Sequence, residues 1–195
     1  MIKPPDQDGR APRPARPKPV TADWLFRAAA HYLERYASST DNLARVLERK
    51  IERRVRAAEA AGEPFADEDG TASARYRALV EETIGKFVEL KLLDDRAYAE
   101  ARFASLRRRG TSMRQATAKL GQKGVPRETL AAVTAGDEMG DAAAALAYAK
   151  RRRLGPHRLR EREERRDRDI AAMMRAGFSY RDSLAAIDGA GDDPE

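Results

Sequence analysis

The sequence predicts an all-α protein: a tandem array of three three-helix repeats, elongated and able to curve, preceded by a disordered N-terminal arm. Three observations predict it. Apolar residues recur three and four apart over most of the chain, with no strand-like alternation or hairpin dipeptide between them. Helix-starting Ser, Thr and Asp residues and helix-stopping glycines punctuate the chain at intervals that fit nine helices. The 195 residues are 42% hydrophobic but only 6% aromatic, which suits several small Leu/Val/Ile/Ala cores better than one large one.

Residues 1–20 interleave Pro4, Pro5, Pro12, Pro14, Pro17 and Pro19 with Lys3, Arg10, Arg13, Arg16 and Lys18. Proline removes backbone donors and fixes φ, so this stretch reads as a disordered basic arm, a solvated leader more than a polyanion-seeking tail. The first repeat spans 21–91. Asp23 can cap a helix with Leu25, Ala28, Ala29, Tyr32, Leu33 and Tyr36 on its apolar face. Ser39 or Thr40 caps a second, with Leu43, Val46, Leu47, Ile51 and Val55. A third carries Tyr76, Val80, Ile84, Phe87 and Val88. Between these last two lies an acidic loop, 59–73, containing Glu63, Pro64, Asp67, Glu68, Asp69 and Gly70.

The second repeat, 92–136, opens with Asp94 and Asp95, whose carboxylates suit helix capping and the helix dipole rather than metal or acid–base chemistry. Its first helix places Tyr98, Ala101, Arg102 and Leu106 on one face and stops at Gly110. Thr111 or Ser112 caps the next, with Ala116, Thr117 and Leu120, and Gly124 stands where a left-handed residue would end it. Pro126 opens a short helix with Leu130 and Val133. In the third repeat, 137–189, Asp141 begins a helix with Leu146 and Ala149, halted by Gly155-Pro156. A second runs from Leu159 to Ala176 with Ile170, Met173 and Met174, ended by Gly177. Ser179 caps the last, with Leu184 and Ile187. Residues 190–195 are an acidic tail. Lys123-Gly124-Val125 followed by Leu130 and Val133 parallels Ala176-Gly177-Phe178 followed by Leu184 and Ile187, which supports a repeat. Each unit is too short for a robust core of its own, so neighbours must lean on one another.

The chain has no cysteine and two distant histidines, His31 and His157, one expected to pack on a helix and the other to sit in a turn. Disulfides, Cys-ligated metals and thiol catalysis are thereby excluded, and no Walker-type loop or triad pattern is present. The reading is of a non-enzyme that needs no cofactor or metal. No apolar run approaches the roughly 18–20 residues of a membrane span, and the N-terminus has no apolar stretch of a secretory signal, so a cytoplasmic location is expected.

The net charge is +6, but it is unevenly spread. From Arg96 to Arg127 there are nine basic residues and one acid, Glu100, a charge of +8. A second knot is Lys150-Arg151-Arg152-Arg153. An unpaired cluster of one sign repels itself, so these residues point to an anionic partner. Arg102, Arg107, Arg108, Arg109, Arg114, Lys119, Lys123, Lys150, Arg151, Arg152 and Arg153 are the expected partner contacts. Residues 160–169 differ. Alternating signs allow Glu161 to pair with Arg165 and Glu164 with Arg168, as on a solvated helix face.

The run Glu89-Leu90-Lys91-Leu92-Leu93-Asp94-Asp95-Arg96-Ala97-Tyr98-Ala99, then Arg107-Arg108-Arg109-Gly110 and Gly124-Val125, resembles the central repeat of the RecX family. Lys150-Arg151-Arg152-Arg153-Leu154-Gly155-Pro156 and Arg175-Ala176-Gly177-Phe178-Ser179-Tyr180 resemble its third repeat, and Trp24 to Val88 more loosely its first, so the likeness covers about residues 24–189. The resemblance implies tandem three-helix repeats that lie in the groove of the RecA filament on single-stranded DNA. It implies inhibition of strand exchange, ATP hydrolysis and the co-protease activity that cleaves the LexA repressor. The partner expected is the RecA filament, with single- or double-stranded DNA as a further one, and the chain acting as a monomer. Two features depart from the family pattern: the acidic loop, which stands where a tight glycine turn is expected, and the proline-rich arm. Two other functions fit the residues. Lys123-Gly124-Val125-Pro126 between two short helices has the look of a helix-turn-helix DNA-binding regulator, and a repeat adaptor with no DNA role would use the acidic loop as much as the basic face.

Overall fold

The periodic segments form helices in the order the sequence dictates. The computed structural model describes residues 19–62 and 71–189. Among the described residues there are nine α-helices, one short 3₁₀ turn and no strand: α1 Ala22–Leu33, α2 Thr40–Ala60, α3 Ala72–Glu89, α4 Asp95–Arg108, α5 Met113–Gln122, α6 Arg127–Ala135, α7 Gly140–Arg152, the 3₁₀ turn Gly155–His157, α8 Arg162–Arg175 and α9 Tyr180–Asp188. The expected arm at 1–18, the centre of the acidic loop at 63–70 and the acidic tail at 190–195 lie outside the described residues.

Apolar side chains gather in three clusters, each fed by three consecutive helices. Leu25, Leu43, Leu47, Ile51, Val80 and Phe87 form the first, with Leu93 closing it. Ala99, Phe103, Leu106, Ala116, Leu120, Val125, Leu130 and Val133 form the second. Ala144, Ala145, Ala149, Ile170, Met173, Phe178, Ala186 and Ile187 form the third, with Leu154. The first is the only one with stacked phenyl rings, Phe26 on Phe87 at 4.7 Å; the third relies on alanines that let α7 approach its neighbours closely.

Serine caps emerge where local chemistry demands them. Ser39, Ser112 and Ser179 each accept a hydrogen bond from the backbone N–H three residues on, which satisfies an otherwise orphaned donor. Asp94 caps α4 through the amides of Arg96 and Ala97. Several expectations shift. Thr21, not Asp23, caps α1; Asp23 sits in the first turn and pairs with Arg27. Val20, placed in the arm by its prolines, is buried in the first core. Glu59 and Ala60 continue α2, and Ala72 and Ser73 begin α3, so the ends of the acidic loop are helical. α7 ends at Arg153 in the left-handed region before Gly155 is reached. His31, Val88, Leu146 and Met174 face solvent.

The largest shift is in α4. Its buried face is Ala99, Phe103, Leu106 and Arg107, about one residue out of register with the expected Tyr98, Ala101 and Arg102 face. Phe103 is the bulkiest apolar group on the helix, and its burial sets the rotation. Ala101 and Arg102 are exposed, and Tyr98 is half-buried at the edge of the second core.

Candidate partner interface

The units meet at two joints that repeat the same chemistry. At the first, the Ser39 hydroxyl caps α2 and also donates to the carbonyl of Lys123, the residue that ends α5. At the second, the Ser112 hydroxyl caps α5 and donates to the carbonyl of Ala176, which ends α8, at 2.7 Å. Aspartates reinforce both. Asp95, at the start of α4, accepts from the Thr40 amide and hydroxyl at 2.7 Å each. Asp141, in the first turn of α7, accepts from the Met113 amide at 2.8 Å. In each case an aspartate of the following unit holds the first amide of the preceding unit's second helix.

Glycine makes these joints possible. Gly124 and Gly177 take φ of +75° and +89°, and a Cβ on either would collide: with the Asp41 side chain at Gly124, and with the Ser112 Oγ, 2.6 Å away, at Gly177. The C-terminus of one second helix thus abuts the N-terminus of the previous one, and their opposite partial charges meet. The candidate helix-turn-helix turn at Lys123-Gly124 is occupied by this contact.

The predicted basic residues do not form one surface. Consecutive residues on a helix point about 100° apart, and Arg107, Arg108 and Arg109 diverge accordingly. Arg107 is a correction to the expected contact set: its side chain is 2% exposed. Its Nε donates to Asp137 at 3.0 Å, and its Nη1 donates to the Thr111 carbonyl at 2.8 Å and to Asp141 at 2.5 Å. Its Nη2 lies 2.9 Å from Asp137, an ion pair without hydrogen-bond alignment. Arg107 therefore ties α4 to the start of α7 and is unavailable to a partner. Arg108 is exposed beside a cleft that also holds Glu100, Asp137 and Glu138. Arg109 is exposed and ends α4, next to Gly110, whose missing Cβ lets α4 touch the α7 backbone at Ala144 and Tyr148.

Arg114 is exposed in the first turn of α5, at the second joint, and Lys119 is exposed further along that helix. Lys150, Arg151 and Arg152 occupy the last turn of α7, with Arg153 as its left-handed cap. All four are exposed, and cations there complement the helix C-terminus. The Arg151 guanidinium lies over Tyr148, 5.5 Å from the ring centre. In the 160–169 stretch Glu161 pairs with Arg165 at 2.9 Å, but Arg166 reaches across to Asp188, and Glu164 and Arg168 form no ion pair. The Arg166 contact holds the exposed Asp188 carboxyl below the usual carboxylate range.

Arg102 and Lys123 converge. They face a groove of about 490 Å³ at the first joint, together with Tyr32, Arg35, Tyr36 and Tyr98. Asn42 is its structural hub: its Nδ2 donates to the Tyr32 hydroxyl and to Ser38, and its Oδ1 accepts from the Lys123 ammonium at 3.2 Å. Tyr98 is half-buried, and burial pushes its phenol up while nearby Arg102 opposes the shift. Sequence reading missed Arg35, Tyr32 and Tyr36 here, because the tyrosines fit the apolar spacing of α1. The available signal was an arginine flanked by aromatics at the end of that helix. No group of three or more His, Cys, Asp or Glu side chains among the described residues is arranged to hold a metal, and no helix is long and apolar enough to cross a membrane.

Comparison with known proteins gives two relatives. The chain is 41% identical over 179 residues to the "Regulatory protein RecX" of Myxococcus xanthus, covering 90% of each chain. It is also 41% identical over 108 residues to the "Regulatory protein RecX" of Agrobacterium fabrum, covering 55% of this chain and 58% of the relative. No family model and no solved structure matches it.

Proposed function

Because the chain belongs to the RecX family, we propose that it regulates the RecA recombinase by binding the RecA filament on single-stranded DNA as a monomer. In this reading it inhibits strand exchange, ATP hydrolysis and co-protease activity, has no catalytic role of its own and acts in the cytoplasm. The observation that carries the reading is the 41% identity maintained over 90% of both chains, which spans all three units. The joints support it: paired serine, aspartate and glycine contacts hold the three units in a repeated relation, which suits a ligand for a repeating filament. Arg102, Arg108, Arg109, Arg114, Lys119, Lys123 and Lys150 to Arg153 remain the contacts of choice, with Arg107 removed from the set.

The test is the single-stranded-DNA-dependent ATPase rate of a RecA protein with this chain titrated in. Inhibition well below one chain per recombinase subunit is the expected result. An unchanged rate at a molar excess overturns the reading. Charge reversal of Arg108 and Arg109 together should weaken inhibition while leaving helicity intact.

A further inference from the structure

The groove at the first joint differs from three other clefts of the described residues. The cleft between α2 and α3 is lined by Glu48, Glu52 and Glu59, that beside Arg108 by Glu100, Asp137 and Glu138, and that beside α8 by Glu163 and Asp188. The joint groove has no carboxylate in its lining. It holds three cations, and among the described residues neither Arg35 nor Arg102 meets an acid. Among the described residues the Lys123 ammonium donates to a neutral amide, that of Asn42, and meets no acid.

Its aromatic content is equally distinct. Tyr36 is 57% exposed, its ring tilted against Tyr32 with centroids 5.2 Å apart. Exposing that much ring beside a guanidinium costs apolar hydration, and the core of the unit does not use it. An aromatic face next to cations that meet no acid is the arrangement that holds unpaired bases by stacking and their phosphates by charge. A volume of about 490 Å³ is within the range of ligand pockets and too small for a helix of a protein partner. Duplex DNA would offer the cations phosphates but present no open base face to Tyr36. An acidic peptide would likewise leave the ring unused.

We propose that the groove between the first and second units binds single-stranded nucleic acid, a base stacking on Tyr36 and the backbone phosphates resting on Arg35, Arg102 and Lys123. The site is assembled only when the joint is closed, since Asn42 of α2 positions both Tyr32 and Lys123. It goes beyond the filament reading, because the strand is held without any recombinase.

The experiment is fluorescence anisotropy of a labelled oligothymidylate with the full chain and no RecA protein. Tyr36→Ala and Arg102→Ala should each weaken binding about tenfold, and Tyr36→Phe should retain it. Arg53→Ala, an exposed cation on α2 outside the groove, should change affinity less than about twofold. Three phosphate contacts on a single strand give a log–log salt slope of roughly −2, falling by about 0.7 in Arg102→Ala. Both alanine sites are exposed, and circular dichroism of each variant verifies the fold. Wild-type affinity in both variants overturns the proposal. So does a preference for duplex that survives Tyr36→Ala, or polyglutamate displacing the strand with the same residue dependence. An inactive ATPase test with intact strand binding would sink the filament reading alone.

Discussion

Replacing Arg107 with methionine separates the cations that build this protein from those proposed to meet a partner. Arg107 is the largest fully buried side chain, and its side chain and that of Asp137 are 2% and 7% exposed. Methionine retains much of the aliphatic bulk and removes the guanidinium. Asp137 then loses its counter-charge, the Thr111 carbonyl loses its donor, and Asp141 keeps only the Met113 amide. Breaking a buried ion pair from one side costs about 3–5 kcal/mol. Asp141 is 27% exposed and recovers water, which sets the expectation near the lower bound, about 3 kcal/mol. For a chain of this length that lowers the melting temperature by about 6–12 °C. The affected transition is the one that melts the second and third units, because Arg107 joins α4 to α7. Arg108→Met, one residue on and exposed, should cost less than about 0.5 kcal/mol. Thermal melts followed by circular dichroism, with urea titrations of each variant, give both values. Adding Asp137→Asn and Asp141→Asn to Arg107→Met should recover part of the loss, since the buried negative charges are then gone. A melting point for Arg107→Met within 2 °C of the parent, or an equal loss in Arg108→Met, would refute the assignment.

Glycines at equivalent positions should respond unequally. Gly62 and Gly177 share a positive φ, +73° and +89°, but a Cβ at Gly62 meets nothing within 4 Å. Gly62→Ala should therefore cost only the backbone strain of about 1–2 kcal/mol, and Gly177→Ala measurably more, compared by urea denaturation. Ser112→Ala removes both a cap and the joint bond to Ala176, for about 2 kcal/mol by the same measurement. Asp169 provides a pH test. Burial alone would raise its carboxyl, but the Arg158 hydrogen bonds at 2.6 and 2.7 Å and the Gly155 amide outweigh it and hold it below the ordinary 3.8. A depressed folded value means the stabilisation is complete above the unfolded value and is lost as pH falls through the folded one. Asp169→Asn should cost about 3 kcal/mol at pH 7, and its deficit should shrink on acidification below about pH 4; a deficit equal at pH 7 and pH 3 would contradict this.

What the sequence disclosed followed the range of the interactions. Serine caps, helix-ending glycines and the three-by-three helix order depend on neighbours a few residues away, and Ser39, Ser112, Gly124 and Gly177 were readable as corresponding positions. Their second task, bonding the next unit, was not, because Ser39 and Lys123 are 84 residues apart and Ser112 and Ala176 are 64 apart. Arg107 looked like one of three equivalent arginines; its partners lie 30 and 34 residues on, in a stretch with no pattern pointing back to it. The α4 register failed for a different reason. Tyr98 and Ala101 count as apolar in a periodicity argument, yet Phe103 with Ala99 buries better, and the tyrosine went to the groove. Arg102 was legible as a charge but not as a wall of that groove, whose other side comes from the end of α1, its connection to α2 and Asn42.

The joint chemistry also distinguishes the two internal boundaries from the rest of the described array. Each internal boundary needs a serine that begins one second helix, a left-handed glycine that ends the next, and an aspartate opening the following unit. At Gly62 the first unit carries the glycine half, with φ of +73° like its counterparts, and among the described residues nothing lies within 4 Å of where its Cβ would stand. At the far end the serine half is gone: Glu161 stands where α8 begins, itself left-handed at φ +54°, without a side-chain cap. At both internal boundaries the contact thus rests on the same three residue types, serine, glycine and aspartate, rather than on the cores between them.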